Sequence, residues 1–150
     1  HFFTGGGRGA GGGRDGIGHN CFPSSAGNVP IEIFESRAPI LVEERTILDD
    51  TGGAGVHRGA PGHRFRLRRL PGSAADVRLY LHPDRLRHPA PGLFGGGPGN
   101  RSRILLNGED VTGGTGYLKS GEVVLASDDD VYTSEAAGGG GIGADLPGKC

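Results

Sequence analysis

The chain has 150 residues, enough for one domain with its own core, and its 32 glycines and 10 prolines approach a low-complexity composition. Its 16 basic and 17 acidic residues give a formal net charge of −1, which provides no overall attraction for nucleic acid or an anionic membrane. No apolar run reaches the length of a membrane-spanning helix. We therefore expect neither nucleic acid nor a membrane as a partner.

Glycine is unevenly distributed along the chain. Ten glycines precede Asn28, and none lies between Asn28 and Thr51. A uniformly disordered chain would not leave such a gap, so we expect structured segments joined by glycine loops. The distribution predicts a glycine-rich opening segment at residues 1–28, a β-rich body at 29–137 and a glycine-rich tail at 138–150.

A short helix is predicted at the start of the body. Pro30 suits the first turn of a helix that carries Glu32 and Glu35, and Pro39 ends it. The stretch ILVEERTIL, residues 40–48, is rich in β-branched residues and predicts a strand.

Alternation of apolar and polar residues predicts two more strands. In HRFRLRRL, residues 63–70, Phe65 and Leu67 face one side and three arginines face the other. DVRLYLHP, residues 76–83, alternates in the same way. The proline- and glycine-rich stretches around them, at 51–62 and 89–100, predict loops.

The last third of the body predicts further short strands. RSRILLNGED, residues 101–110, indicates a strand that enters an Asn-Gly turn, and YLKSGEVVLAS indicates a hairpin around Lys119–Gly121. In total we expect five to seven strands and one or two short helices. The predicted fold class is mainly β (α+β), with short antiparallel strands and glycine-rich loops, as part of a larger multi-chain or multi-segment fold.

The glycine-rich ends match phosphate-binding patterns only superficially. The pattern G-x-G-x-x-G occurs twice in the opening segment and once in the tail, but it lacks the preceding strand and following helix of a dinucleotide site. The tail also approaches a P-loop, with Cys150 in place of the magnesium-binding hydroxyl. Arg8 and Arg14 are the only arginines among the opening glycines, which disfavours an RNA-binding Arg-Gly segment.

Metal-ligand and cysteine patterns are sparse. No histidine pair has the i, i+4 spacing of a zinc protease helix, and Cys21 lacks a Cys-x-x-Cys partner, so we assign no metal to this chain, although His19 and Cys21 could join distant ligands. Cys21 and Cys150 make no disulfide framework, which favours a reducing compartment and a cytoplasmic location. The absence of methionine, position 1 included, indicates a processed chain or a fragment.

A long ordered series of motifs resembles the C-terminal part of hydantoinase B/5-oxoprolinase proteins. The resemblance covers residues 5–99 and 138–146. It is carried by Asn-x-Pro-Ile-Glu, Glu-Ser-Arg, Glu-Arg, Gly-Gly-Ala-Gly-x-x-Arg-Gly, Pro-Gly-Leu-Phe-Gly-Gly-x-Pro-Gly and the glycine tail. Members of that family are several times longer than this chain. The resemblance therefore implies a fragment, or a separately encoded small subunit, of a larger hydantoinase B-like unit.

The resemblance also implies an activity and partners. It implies part of an ATP-dependent cyclic-amide hydrolase of the hydantoin or 5-oxoproline type, which is not active alone. The alternatives are a subunit of an ATP-dependent ketone carboxylase, of the acetone or acetophenone type, and a non-catalytic assembly subunit. ATP and Mg²⁺ are implied for a hydantoinase A-like ATPase partner, and a divalent metal is compatible with the complex. The other partners are the remaining hydantoinase B-like polypeptide and a small-molecule substrate.

No catalytic residue can be assigned, but four charged residues are candidates for substrate binding. Glu35 and Arg37 precede the predicted strand 40–48, Arg45 lies on it, and Arg58 lies in the glycine loop that follows. An arginine fork suits a carboxylate or a phosphorylated intermediate. The alternative is an internal ion pair, Glu35–Arg37 or Glu44–Arg58.

The glycines themselves have two possible roles. They could allow close backbone packing or positive φ, where a side chain is excluded. Their amides could also face a substrate anion. We predict the first role, with residues Gly5–Gly18 ordered in the assembled protein.

Overall fold

The computed structural model describes residues 5–18, 27, 29–118 and 121–144. These residues form one helix and seven strands. The elements are α1 (Ile31–Arg37), β1 (Ile40–Ile47), β2 (His63–Arg69), β3 (Val77–Tyr80), β4 (Arg103–Leu106), β5 (Glu109–Asp110), β6 (Glu122–Leu125) and β7 (Val131–Glu135).

The helix α1 begins and ends where the prolines predict. Pro30 occupies the N-cap position with φ −53°, and the chain turns extended at Ala38, directly before Pro39. A residue before proline is pushed out of the helical region, which explains the end of α1. Strand β1 starts immediately afterwards, so the predicted helix and strand are both confirmed.

Five strands form an antiparallel sheet in the order β1-β2-β7-β4-β5. Strand β7 lies between β2 and β4, with Tyr132 opposite Leu67 on one side and Leu106 on the other. The remaining strands, β3 and β6, form a separate antiparallel pair. The mainly β fold with short antiparallel strands is confirmed.

The apolar core lies between the sheet and the β3-β6 pair. On β2, Phe65 and Leu67 are each 2% exposed, while the intervening Arg66 is exposed, as the alternation predicts. The two layers meet through apolar residues that alternate with polar ones on strands such as β2 and β3. The core cluster consists of Ile40, Phe65, Leu67, Val77, Ile104, Val123, Leu125 and Tyr132.

A charged network covers the opposite face of the sheet. Arg64 donates from Nε (3.1 Å) and Nη2 (2.8 Å) to one carboxylate oxygen of Glu135, and Arg103 lies 3.4 Å from the other. Arg64 also lies 3.5 Å from Glu44 on β1. The Glu135 hydrogen bond raises the pKa of Arg64 further above its ordinary value. The network therefore links three strands through one carboxylate whose side chain is 10% exposed.

Two turn predictions have different outcomes. Asn107 and Gly108 join β4 to β5 with φ of 53° and 84°, as a two-residue turn requires, so that prediction is confirmed. The hairpin around Lys119–Gly121 is wrong in its pairing: β6 pairs with β3, far earlier in the chain. Lys119 and Ser120 themselves lie outside the described residues.

Helix α1, the one helix formed by the described part of the chain, is seven residues long and is too short to cross a bilayer.

Candidate functional site

Four glycine-rich segments pack side by side to form what we call the glycine bundle: residues 5–11, 51–60, 90–99 and 136–144. The last segment is buried almost throughout and bonds to the other three. Gly7 N donates to Ala137 O at 2.8 Å, and Gly53 N donates to Gly139 O at the same distance. On the third side, Gly141 N donates to Gly97 O at 2.9 Å.

The glycines at 138–141 lie against backbone atoms of all three neighbouring segments. A Cβ added to Gly138 or Gly141 would lie less than 3.0 Å from residues of the 51–60 segment. A Cβ on Gly139 would clash with Arg8, and one on Gly140 would clash with Pro91. Four consecutive glycines therefore face backbone atoms of three different segments at positions where a Cβ does not fit. The predicted packing role of these glycines is confirmed.

Hydrogen bonds within the glycine bundle occupy amides of the tail, and this limits what those amides can bind. Gly139 N donates to Ala60 O, Gly141 N donates to Gly97 O, and Gly143 N donates to Leu93 O, at 2.9 to 3.0 Å. Gly138 N donates to the Asn100 side chain at 2.9 Å. These donors are already used, so they do not form a cradle for a phosphate or a substrate anion.

An open cleft of about 570 Å³ lies beside the 51–60 segment and includes the predicted residue Arg58. Arg58 is held by its backbone: its N–H donates to Asp15 Oδ1 at 2.8 Å, and its carbonyl accepts from Gly16 N at 2.8 Å. Its side chain is 61% exposed and lies 3.5 Å from Asp50 Oδ1. The cleft is lined by Asp15, Gly16, Asp49, Asp50, Gly52, Arg58, Gly59, Ala60 and Pro61.

The cleft combines donors and acceptors of opposite charge. Arg58 brings five N–H donors on a planar fork, of which the 3.5 Å contact with Asp50 uses at most a part. Asp15, Asp49 and Asp50 bring carboxylate acceptors. His57 Nδ1 lies 3.8 Å from Asp15 Oδ1 at the margin of the cleft. Such a cleft suits a small molecule that both accepts and donates hydrogen bonds.

The structure does not bring all four candidate residues together. Glu35 accepts a 2.7 Å hydrogen bond from Val42 N at the start of β1, whereas Arg58 lies in the loop after the end of β1. Arg37 is exposed in the last turn of α1, and Arg45 is exposed in the middle of β1. Of the four, Arg58 alone lines the cleft described above.

The two alternative ion pairs are wrong. Glu44 lies against Arg64 on the neighbouring strand, and Arg58 lies against Asp50. Glu35 holds the backbone of Val42 rather than the guanidinium of Arg37. Of the acids around Arg58, Asp15 is the one with a signal in the sequence. It stands in an Arg-Asp-Gly sequence within the opening glycines.

Metal ligands do not cluster in the part of the chain that the structure describes: it contains no group of three His, Cys, Asp or Glu side chains placed to hold an ion. His19 and Cys21 lie outside the described residues.

Comparison with known proteins adds to this geometry. A family model described as hydantoinase B/oxoprolinase matches residues 1–145. The chain belongs to the hydantoinase B/oxoprolinase family. The family resemblance of the sequence is therefore confirmed.

Two relatives of this hydantoinase B/oxoprolinase chain are much longer than it is. An uncharacterized protein of Methanocaldococcus jannaschii, MJ0963, is 32% identical over 126 residues, which cover 78% of this chain and 20% of that protein. The 5-oxoprolinase 1 of Arabidopsis thaliana is 30% identical over 95% of this chain, which corresponds to 11% of the plant protein. The chain thus spans a fifth or less of the relatives it matches.

A solved structure shares the fold. Acetone carboxylase, in its nucleotide-free structure, superposes with a TM-score of 0.64 and 19% identity. The match covers 93% of this chain and 22% of the acetone carboxylase chain. The fold of this family member therefore recurs as part of a larger chain, that of acetone carboxylase.

Proposed function

We propose that this chain is a C-terminal segment or small subunit of an ATP-dependent cyclic-amide hydrolase of the hydantoin or 5-oxoproline type. Residues 1–28, 29–137 and 138–150 together form one part of a larger hydantoinase B-like unit, located in the cytoplasm. The family match and the relative named 5-oxoprolinase 1 support this proposal. A subunit of a ketone carboxylase is the second candidate, supported by the fold shared with acetone carboxylase.

The Arg58 cleft contains both a guanidinium and carboxylates, and this mixture favours the cyclic-amide hydrolase over the ketone carboxylase. A cyclic amide offers a carbonyl acceptor and an N–H donor, and 5-oxoproline adds a carboxylate. Arg58 matches the acceptors, and the carboxylates of Asp15, Asp49 and Asp50 match the N–H donor. A simple ketone has only an acceptor, so it would leave the acids of the cleft without a partner.

ATP and Mg²⁺ belong, in this proposal, to a hydantoinase A-like ATPase partner. The tail amides of Gly138, Gly139, Gly141 and Gly143 already donate to backbone carbonyls or to Asn100, so these four amides do not fit a nucleotide phosphate. This chain's own contribution is to orient a small molecule: the 2.8 Å hydrogen bond from Arg58 N to Asp15 fixes the loop from which the guanidinium extends. The chain is not expected to act alone.

Turnover by the assembled complex tests the proposal. The parent complex should consume ATP with hydantoin or 5-oxoproline, and not with acetone and bicarbonate. Arg58→Lys keeps the charge but loses the fork, so kcat/KM should fall about tenfold, or about 1.4 kcal/mol of transition-state stabilisation. Arg14→Lys, at an exposed arginine of the opening segment, is the matched control and should leave kcat/KM unchanged.

Other results would contradict the proposal in distinct ways. Turnover of the ketone and not of the cyclic amide would support the carboxylase instead. If Arg58→Lys and Arg37→Lys both assemble and turn over like the parent, neither residue binds substrate. Asp50→Asn should raise KM for the cyclic amide, because it replaces an ionised acceptor in the cleft by a neutral amide.

A further inference from the structure

Three apolar side chains project from one end of the glycine bundle. Val56, Leu93 and Phe94 are 56%, 54% and 86% exposed, and we call them the apolar cap. The tail holds the backbones of two of them: Val56 N donates to Gly143 O at 3.3 Å, and Leu93 N donates to Gly141 O at 3.0 Å. The cap is therefore a rigid surface rather than a set of isolated loop residues.

The backbone at Phe94 favours a different residue. Phe94 has φ of 51°, in the left-handed region that bulky residues rarely adopt and glycine adopts freely. The side chain is 86% exposed, so packing against the residues that the structure describes does not compensate for that conformation. Gly95, Gly96 and Gly97 follow it directly. An aromatic residue in a strained, exposed position indicates a role outside this chain's own fold.

The surroundings of the cap have the composition of an interface centre. The stretches 51–56, 89–99 and 136–144, which bring these side chains together, contain no Asp, Glu, Lys or Arg. The central parts of protein interfaces are depleted in charge and enriched in aromatic residues. Interfaces of permanent assemblies are also more apolar than those of transient ones.

The lengths of the relatives indicate what covers this surface. This chain corresponds to 20% of the M. jannaschii protein, 11% of the plant 5-oxoprolinase 1 and 22% of the acetone carboxylase chain. In each relative, most of the polypeptide lies outside the matched segment. We propose that the apolar cap is the docking surface for the remaining hydantoinase B-like polypeptide, with Phe94 as its central anchor. This inference rests on the partner named in the proposed function.

Removing the Phe94 side chain tests the inference, because it should weaken docking without destabilising the chain itself. Phe94→Gly relieves the left-handed backbone, so the chain itself should remain folded. Its complex with the remaining polypeptide should dissociate at a concentration at least about tenfold higher than the parent complex, measured by analytical ultracentrifugation on dilution. Tyr80→Gly removes an aromatic that is 72% exposed on β3 and should leave the dissociation concentration unchanged.

If the segment is covalently joined to the rest of the polypeptide, the two parts cannot dissociate. Hydroxyl-radical footprinting then tests the docking instead. In the assembled parent, Leu93 and Phe94 should each be oxidised at least about tenfold more slowly than in the urea-unfolded protein, whereas Tyr80, which is 72% exposed, should be oxidised at a similar rate in both states. Equal oxidation rates of Leu93 and Phe94 in the two states would overturn the proposal. Protection by a second copy of this chain alone would overturn it too, because the occupant would then be different. Neither readout needs a substrate, so protection without cyclic-amide turnover contradicts the proposed function and not the docking.

Discussion

The N–H of Gly53 donates a 2.8 Å hydrogen bond to the carbonyl oxygen of Gly139, which joins the first loop of the body to the tail through backbone atoms alone. A Cβ added to Gly59 would lie less than 3.0 Å from the same oxygen. The carbonyl oxygen of Gly139 therefore accepts a hydrogen bond from Gly53 and also leaves no room for a side chain at position 59. The glycine bundle holds because its chains approach more closely than any side chain would allow.

Gly59→Ala should disrupt the bundle. The added methyl group meets backbone atoms of Gly139 and Gly140, which cannot rotate away, so we expect a loss of more than about 3 kcal/mol, at the upper end for overpacking. Gly12→Ala is the matched control, because a Cβ there has open space and Gly12 does not adopt a positive φ. Urea unfolding of both variants measures the difference. Equal midpoints would contradict the close packing.

Hydrogen exchange should vary within the opening segment. The amides of Gly7, Arg8, Ala10 and Gly16 donate to backbone carbonyls and should exchange slowly in the assembled protein. Gly13 lies in the turn between Gly11 and Arg14 and should exchange quickly. Mass spectrometry with residue-level fragmentation separates them. Fast exchange throughout residues 5–18 would show that the segment is not ordered.

Asn100 should contribute through its side-chain oxygen. That oxygen accepts the buried Gly138 N–H at 2.9 Å, so Asn100→Ala leaves a donor without a partner and should cost about 1–3 kcal/mol of unfolding free energy. Asn100→Asp retains an oxygen acceptor at the same place and should cost less. The prediction fails if both variants unfold at the same urea concentration.

Glu135 should stabilise the sheet through its two arginines. Glu135→Gln removes the charge that Arg64 and Arg103 share, and we expect a loss of about 1–2 kcal/mol. This is below the 3–5 kcal/mol typical of a fully buried pair because Arg64 is 36% exposed. Glu109→Gln, at an exposed acid on β5, serves as the control. A loss no larger than that of the control would show that the network contributes nothing.

Acid should weaken the connection between β6 and β7. Hydrogen bonds from the Asn107 side chain, and then from the Ser127 and Ala126 backbones, hold the pKa of Asp130 below its ordinary value of 3.8. A depressed folded-state pKa contributes stability above pH 3.8 that is lost as the pH falls through the folded-state value. Asp130→Asn should therefore reduce the loss of stability between pH 5 and the acid limit. Asp129→Asn, at an exposed neighbour, is the matched control for the loss of one negative charge in this turn.

The helix α1 and the strand β2 could be predicted from the sequence because the residues that specify each one lie within it or next to it. Pro30 and Pro39 delimit α1, and the alternation around Phe65 and Leu67 identifies the buried face of β2. The β3-β6 pairing could not be predicted in this way, since the two strands lie far apart in the chain and four-residue strands carry little register information.

The candidate site was only partly predictable for the same reason. The loop position and the chemistry of Arg58 predict it as a candidate. Asp15, whose carboxylate holds the Arg58 backbone, lies 43 residues away, so no local pattern connects the two. Glycine itself has no apolar or polar alternation, so the packing partners of the bundle are invisible to any periodicity. They follow only from which carbonyl each N–H reaches in three dimensions.

The position of the tail in the bundle has a consequence for biosynthesis. Residues 131–144 leave the ribosome after all the segments they bond to, and they supply both the central strand β7 and the partners of three glycine segments. Until then, β2 and β4 lack their shared neighbour, and the amides of Gly7 and Gly53 lack the tail carbonyls to which they donate. Completion of the sheet and the bundle therefore waits for residues 131–144, and the nascent chain exposes apolar strands in the meantime. Chaperone protection during synthesis is an expected requirement of this architecture.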